Sequence, residues 1–288
     1  MKVGIQLYSV RNHMEKDPIG TIRYVAEAGY RYIEVANHNA DKDSGVGFGA
    51  GAKEIKKILE DTGARIISAH ISPFNTEIIK PVLEYFAELE SAYIVVPMDF
   101  FRDKADVFAR CEVYNKLAGL CTRAGMKFLY HNHFHEFQIF DDKTTGKTTF
   151  DLIMENTDPA LVGVELDTYW AARGGQDPVR LLAKYGERVR LIHQKDFPAT
   201  WRDKINLIDP VNTNSITVDM RYFMGVVSPE AFTEIGAGIL PIQEIINTGN
   251  QDCKTDYIVL EQDFSQHDEY ESIGISMENL KTFTGIEW

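Results

Sequence analysis

A closed eight-stranded α/β barrel, (β/α)8, is the fold this sequence predicts, and three observations predict it. One phrase recurs along the chain: an amphipathic helical stretch, a glycine that ends it and, two or three residues later, a short β-rich run. The terminating glycines are regularly spaced, with 34 residues from Gly29 to Gly63, 62 from Gly63 to Gly125 and 61 from Gly125 to Gly186. A unit of about 31 residues therefore repeats. Eight β-rich runs are found, with helical patterns between them and no shift of composition, which favours a closed barrel over separate layers.

The first strand is expected at residues 4–8. The helical stretch that ends in Glu27-Ala28-Gly29 leads to the second, at 32–36, and Asp61-Thr62-Gly63 leads to the third, at 66–70. Helices often end on a residue in the left-handed conformation, which penalises a β-carbon, and glycine meets that demand. Between these two strands Ile55, Ile58 and Leu59 recur at helical spacing. The fourth strand is expected at 92–97, the fifth at 128–131 after Arg123-Ala124-Gly125, and the sixth at 161–167. Asp177-Pro178 opens a helix with Leu181, Leu182 and Tyr185 on one face, and Lys184-Tyr185-Gly186 closes it before the seventh strand at 189–193. The eighth is expected at 257–261. Each run is apolar through its middle, as a strand covered on both faces should be.

Between His193 and Tyr257 lie more residues than one helix needs. Residues 197–241 read as a long insertion at the catalytic end, suited to a lid or to a contact between subunits. No G-x-G-x-x-G follows the first strand, and the glycines Gly45, Gly47, Gly49 and Gly51 read as a flexible loop, so a doubly wound nucleotide-binding sheet is set aside.

The chain has 288 residues, 44% hydrophobic and 25% charged, which fits one barrel domain over 1–288 with a large core. Its net charge of −13 argues against nucleic acid, whose binding needs a basic face. No run approaches the roughly 18 apolar residues of a membrane span, and strand-like sequence begins within two residues of Met1, so no membrane partner and a cytoplasmic location are expected. Cys111, Cys121 and Cys253 have no CxxC spacing and read as buried free thiols of a reducing compartment.

In such a barrel the C-terminal strand ends form the active face, and chemistry-capable residues gather there. Strand five ends in Tyr130-His131-Asn132-His133-Phe134-His135-Glu136, strand six in Glu165-Leu166-Asp167, strand seven in His193-Gln194-Lys195-Asp196 and strand eight in Glu261-Gln262-Asp263, while strand three adds His70. One histidine at a strand end would read as a hydrogen-bonded core residue. Four neighbouring strands that bring carboxylates and imidazoles to one rim read as a cation site, because crowded buried carboxylates repel unless protons or a cation neutralise them. Nitrogen and oxygen ligands without thiolate suit one divalent ion, Mn²⁺, Zn²⁺, Fe²⁺, Co²⁺ or Mg²⁺, and do not select among them. Alternation along strand five turns His131 and His133 into the mouth and Asn132 towards the helices.

At these residues the chain resembles the xylose isomerase-like TIM barrels, a group that includes sugar phosphate isomerase/epimerases and endonuclease IV-type apurinic endonucleases. The phrases that carry the resemblance span nearly the whole chain: Gly4-Ile5-Gln6-Leu7-Tyr8 with Arg11, Tyr130-His131-Asn132-His133 through Glu136-Phe137, Glu165-Leu166-Asp167-Thr168-Tyr169-Trp170, His193-Gln194-Lys195-Asp196, Phe232 through Gly236-Ala237-Gly238, and Glu261-Gln262-Asp263. The resemblance implies one metal held by a glutamate, an aspartate, a histidine and a second glutamate. Asp167, His193 and Glu261 match three of these ligands. Where the first glutamate is usual stands His131, with His133 and Glu136 nearby as substitutes. Epimerases of this group are thought to pass a proton between two metal-site glutamates, so this departure brings isomerase, dehydratase and glycoside-lyase chemistry into competition. The endonuclease branch needs further histidines, and Trp170 stands where one would be.

The expected activity is thus that of a metal-dependent sugar or sugar phosphate isomerase/epimerase, which takes a proton from the carbon beside a carbonyl. Its alternatives are a lyase or hydratase acting on keto-sugars or keto-glycosides, and a non-catalytic polyol-binding barrel. Glu136, His133 and Glu261 are the candidate bases, and Lys195 is the candidate stabiliser of oxyanion charge; in plainer readings Lys195 pairs with Asp196 or Glu261 and Glu136 is exposed. Gln6, Tyr8, Arg11, His70, Trp170 and Arg173 are candidates to orient a hydroxylated carbohydrate substrate. A homo-oligomer paired through loops at the mouth is one arrangement such barrels adopt.

Overall fold

The computed structural model describes residues 1–140 and 146–288. The chain opens with β1 (Lys2–Gln6), a 3-10 turn (Leu7–Val10), α1 (Arg11–Met14), α2 (Pro18–Glu27), β2 (Tyr32–Asn37), α3 (Ala52–Thr62) and β3 (Arg65–Ile71). It continues through α4 (Ile79–Glu88), β4 (Tyr93–Val96), α5 (Lys104–Arg123), β5 (Lys127–His131), α6 (Thr149–Asn156) and β6 (Val162–Asp167). α7 (Thr168–Arg173), α8 (Pro178–Tyr185) and β7 (Val189–Gln194) precede the insertion, which carries α9 (Ile208–Asn214) and α10 (Met220–Val226). α11 (Ile242–Asp252), β8 (Tyr257–Leu260) and α12 (Glu269–Leu280) complete the described elements.

The eight strands form a closed barrel in sequence order, each parallel to its two neighbours. Strand edges differ from the sequence expectation by a residue or two. The largest shift is in β1, which starts at Lys2 and turns into the 3-10 segment after Gln6, so Tyr8 lies above the sheet. Glu261 is the first residue past β8. The predicted helix stop at Gly63 is met by a left-handed backbone (φ 71°), and Asp177 caps α8 through its carboxylate with Pro178 in the first turn.

The barrel interior is filled from below by Ile67, Tyr93, Val95, Leu129, Leu191 and Val259, with Tyr32 and Tyr257 packed against them. This apolar plug is separate from the larger core between strands and helices. Inward residues above the plug are polar, because each strand alternates and its next inward positions bear carboxylates and imidazoles. Two register shifts set their aim, one between β2 and β3 at Ile33/Glu34 and one between β6 and β7 at Val164/Glu165. A bulge re-aims a side chain, and both lie beside buried glutamates.

The insertion returns to the barrel through Asp196, whose carboxylate accepts the backbone N–H groups of Phe197, Gly236, Gly238 and Leu240. Cys111 and Cys121 are buried on α5 and Cys253 is half-buried, all three as free thiols. Among the described residues no helix is long and apolar enough to cross a membrane.

Candidate active site

The polar residues inside the mouth form two tiers. In the deeper one, Glu34 of β2 accepts hydrogen bonds from Gln6 Nε2 (2.8 Å) and Ser68 Oγ (2.5 Å), and its Oε1 lies 2.5 Å from His193 Nε2. Glu165 Oε2 lies 2.6 Å from His70 Nε2. Burial opposes ionisation of Glu34, but the adjacent His70 and His193 outweigh it and hold the carboxyl at about 2. Burial and the neighbouring Glu34 push Glu165 well above the usual carboxylate range. Burial also pushes His70 down to about 4. The shared proton at 2.6 Å therefore belongs to the Glu165 carboxyl, donated to a neutral His70, while Glu34 is the anion of this tier.

In the upper tier Lys195 Nζ lies 2.5 Å from Asp167 Oδ2 and from Glu261 Oε2, and 3.8 Å from Asp263. Burial would discharge this fully buried ammonium, but the three carboxylates hold its proton firmly. Burial resists ionisation of Asp167 and Glu261 as well, and Lys195 overcomes it in both, so both stay ionised. Burial lifts Asp263 to about 7 against the pull of Lys195. His193 links the tiers: its Nδ1 lies 3.2 Å from Glu261 Oε2, while its Nε2 faces Glu34.

His131, Asp167, His193 and Glu261 each turn one ligand atom to a common point, these atoms lying within 4.8 Å of one another. The strand registers bring them together, because His131 pairs with Glu165 across β5 and β6, and Asp167 pairs with His193 across β6 and β7. His131 Nδ1 is anchored 2.9 Å from the Pro97 carbonyl, which makes it the N–H donor. The lone pair on Nε2 then faces the carboxylates, buried and without a hydrogen-bond partner. A lone pair fixed in this way, with two ionised carboxylates and a second imidazole beside it, is the donor set of a divalent cation. A deeper group, His70, His131, Glu165 and His193, is equally compact, but the Glu165 proton already joins two of its members.

Above the cluster opens a cavity of about 460 Å³, a usual size for a small-molecule site. Tyr8, His38 and Asp263 form one side, His131, His133 and Trp170 another, and Phe223 with Met220 and Met224 of α10 hangs over it. The insertion thus supplies part of the cavity wall. Among the described residues no group hydrogen-bonds the His133 ring, and its buried Nδ1 is unpartnered, as is Trp170 Nε1. Burial, then the nearby His131 and His135, keep His133 well below the usual histidine range and therefore neutral.

Of the residues singled out in the sequence, Tyr8, His70, His131, His133, Trp170 and Glu261 line this cavity. Gln6, Glu136 and Arg173 are held away from it. Gln6 is fully buried between Glu34 and the Tyr8 backbone. Glu136 is not exposed: its carboxylate is consumed by Tyr130 Oη and the His133 N–H, which aims it away from substrate. Arg173 is buried against Tyr169 Oη and the Ile205 carbonyl. Arg11 binds the Asp263 carbonyl and lines an adjoining cavity of about 250 Å³, while Lys195 points its ammonium into the carboxylate pair and not to Asp196.

The sequence reading left Glu34, His38 and Asp263 without a role. Their signal was available as an alternation of two: Glu34 follows Tyr32, His38 follows Ala36 and Asp263 follows Glu261, each two residues further along the same face.

A profile of the xylose isomerase-like TIM barrels matches residues 22–281. The chain belongs to this family. Within it, the inosose dehydratase of Bacillus cereus is 28% identical over 272 residues, which span 84% of this chain and 81% of that protein. The inosose dehydratase of Geobacillus kaustophilus is 39% identical over 82 residues, a segment covering 28% of this chain and 25% of the relative. A solved sugar phosphate isomerase/epimerase from Parabacteroides distasonis shares the fold with a TM-score of 0.78 at 24% identity, covering 99% of this chain and 95% of its own. These xylose isomerase-like relatives are enzymes, and the dehydratases among them act on a sugar-like small molecule.

Proposed function

We propose that this chain is a divalent-metal-dependent lyase that removes water from a polyhydroxylated ketone, a keto-sugar or keto-cyclitol, beginning with loss of a proton beside the carbonyl. The observation that carries the reading is the chemical asymmetry of the cavity wall. The His133 imidazole comes from the end of β5 and the Asp263 carboxyl from the end of β8, with His38, His70, Asp99, His131 and Glu261 as the other imidazole and carboxyl groups of the wall. Moving one proton between the two faces of a carbon calls for a matched pair of groups. Elimination instead uses one group that takes a proton from carbon and a second that gives one to the departing oxygen.

His133 is the base in this reading. It is neutral, its ring has no hydrogen-bond partner among the described residues and it faces the cavity. Asp263 is the acid, a wall residue that keeps its proton to about pH 7. The α-proton passes to the His133 imidazole, the electron pair of that C–H bond forms the new double bond, and the β-hydroxyl leaves as water with the Asp263 proton. The products are an enone and water. Trp170 Nε1 and Tyr8 offer hydrogen bonds that orient the hydroxyls, and Lys195 keeps Asp167 and Glu261 ionised.

His131, Asp167, His193 and Glu261 would hold the metal, which when bound polarises the ketone oxygen and lowers the cost of the charge that collects there. Its identity among Mn²⁺, Zn²⁺, Fe²⁺, Co²⁺ and Mg²⁺ is left to measurement. The dehydratase relatives that cover four fifths of both chains favour elimination. The isomerase/epimerase reading shares the first step and differs only in returning the proton to carbon, so one experiment separates them. Metal-loaded protein is incubated with keto-sugars and inososes in D₂O and the products are weighed by mass spectrometry. Loss of one water supports the lyase. Deuterium incorporation without loss of water replaces it with the isomerase/epimerase, and binding without any turnover leaves a polyol-binding barrel.

A further inference from the structure

The carboxylate of Glu34 is completely buried, lines neither of the cavities described above and takes no part in the steps proposed there. It nevertheless receives three donors: Gln6 Nε2, Ser68 Oγ and His193 Nε2. The last contact spans the barrel interior from β2 to β7, whose strands are not neighbours in the sheet. A buried carboxylate costs several kcal/mol of lost hydration unless its lone pairs are satisfied, so such a group persists where its partners need it.

We propose that Glu34 is the positioning residue that fixes His193 for the metal, an inference that rests on the metal-centre reading above. An imidazole with a lone pair on one nitrogen must carry its proton on the other, and the group that accepts that proton decides which is which. At His131 the choice is made by the Pro97 carbonyl, which a side-chain substitution cannot remove. At His193 it is made by Glu34: Nε2–H donates to Glu34 Oε1, so Nδ1, 3.2 Å from Glu261 Oε2 and 3.9 Å from Asp167 Oδ2, is the nitrogen left to bind a metal in place of a proton.

The position of Glu34 is itself over-determined. Ser68 holds Oε2 and Gln6 holds Oε1, and Ser68 stands opposite Glu34 because of the register shift between β2 and β3. The result is a carboxylate–histidine pair behind a ligand position, the arrangement that orients a ligating imidazole and raises its basicity. A plain structural ion pair would stabilise the barrel without preferring one nitrogen. The two roles differ in what they do to metal affinity once folding is held constant.

The test uses the full chain, stripped of metal and titrated with Mn²⁺ and with Co²⁺, in the wild type, Glu34→Gln, Glu34→Leu, Ser68→Ala and Asp167→Ala. Thermal unfolding of each metal-free protein is recorded, and Ser276→Ala, a buried change on α12 that removes the acceptor of the Ile235 N–H, serves as a control. Glu34→Gln keeps an acceptor oxygen but loses the charge, so its affinity is expected to fall about 10-fold, and that of Glu34→Leu about 100-fold. Ser68→Ala should lose less than either. The visible bands of bound Co²⁺ should shift in Glu34→Gln and stay unchanged in the Ser276→Ala control.

Folded Glu34 variants that bind Mn²⁺ within twofold of the wild type, whatever their melting temperature, would overturn the inference and leave Glu34 a structural ion pair. Should Glu34→Leu fail to fold, Glu34→Gln and Ser68→Ala decide by the same criterion. A wild type that binds neither ion removes the metal-centre reading, and this inference with it. A wild type that binds tightly beside unaffected Glu34 variants removes this inference alone.

Discussion

Asp167 and His133 lie on the same rim, and their replacement should have different consequences. Asp167→Ala and Glu261→Ala each remove a ligand oxygen and leave Lys195 with one carboxylate in place of two, so stoichiometric metal should be lost from both, as read by elemental mass spectrometry on protein purified without chelator. His133→Ala should keep its metal. Its turnover should fall roughly 10²- to 10⁴-fold, the usual worth of a positioned base, with little change in substrate affinity. A His133→Ala protein that retains full turnover would assign proton abstraction to another group. These residues also show what their neighbourhood decides: Glu136 and His133 looked equally fit to be the base, and the difference arises because Tyr130 and the His133 backbone have already taken the Glu136 carboxylate.

At the scale of elements, the caps and the return of the insertion carry the testable consequences. Asp151 closes the capping box of α6 with Thr148 and also binds Lys184 and Tyr185 of α8. Burial opposes its ionisation, but the hydrogen bonds from Lys184 and Tyr185 outweigh it and draw the carboxyl below its ordinary 3.8. A lowered folded-state value means that the stabilisation is present above that ordinary value and fades as pH falls through the lower one. Asp151→Asn should therefore cost about 1 kcal/mol at pH 7, and the gap in melting temperature should close below about pH 4. Gly238 gives a second case. A β-carbon there would stand 2.2 Å from Asp196 Oδ1 and 2.5 Å from the Phe197 carbonyl. Gly238→Ala should prise the insertion from β7 and cost about 1–3 kcal/mol in chemical denaturation, whereas an alanine at Gly225, with nothing within 4 Å, should be neutral by comparison.

Across the whole molecule, the barrel supplies the ionic cluster and the insertion supplies the apolar cover. Met220 and Met224 line the cavity yet are 53% and 60% exposed, so their removal leaves little unburied. The double variant Met220→Ser, Met224→Ser should melt within a degree or two of the wild type, since exposed changes stay within about 0.5 kcal/mol. It should raise KM several-fold while metal affinity stays fixed, because the metal ligands lie in the barrel strands or, for Glu261, directly after one. A change in metal affinity would mean that the cover and the cluster are coupled.

By itself the sequence determined the barrel, its eight strands and the rim on which Asp167, His193 and Glu261 meet, because strand periodicity, helix-stopping glycines and the position of a residue along its strand are local properties of the chain. The three-dimensional structure alone decided which polar groups were already taken. Gln6, Glu136 and Arg173 had the residue types of a binding site, yet each is buried and satisfied by protein partners outside the cavity. Glu34 had no visible role, since its partner His193 is 159 residues away and meets it only across the closed interior. Residue type and period specify what a side chain can do; the closure of the barrel, with its two register shifts, specifies what it faces.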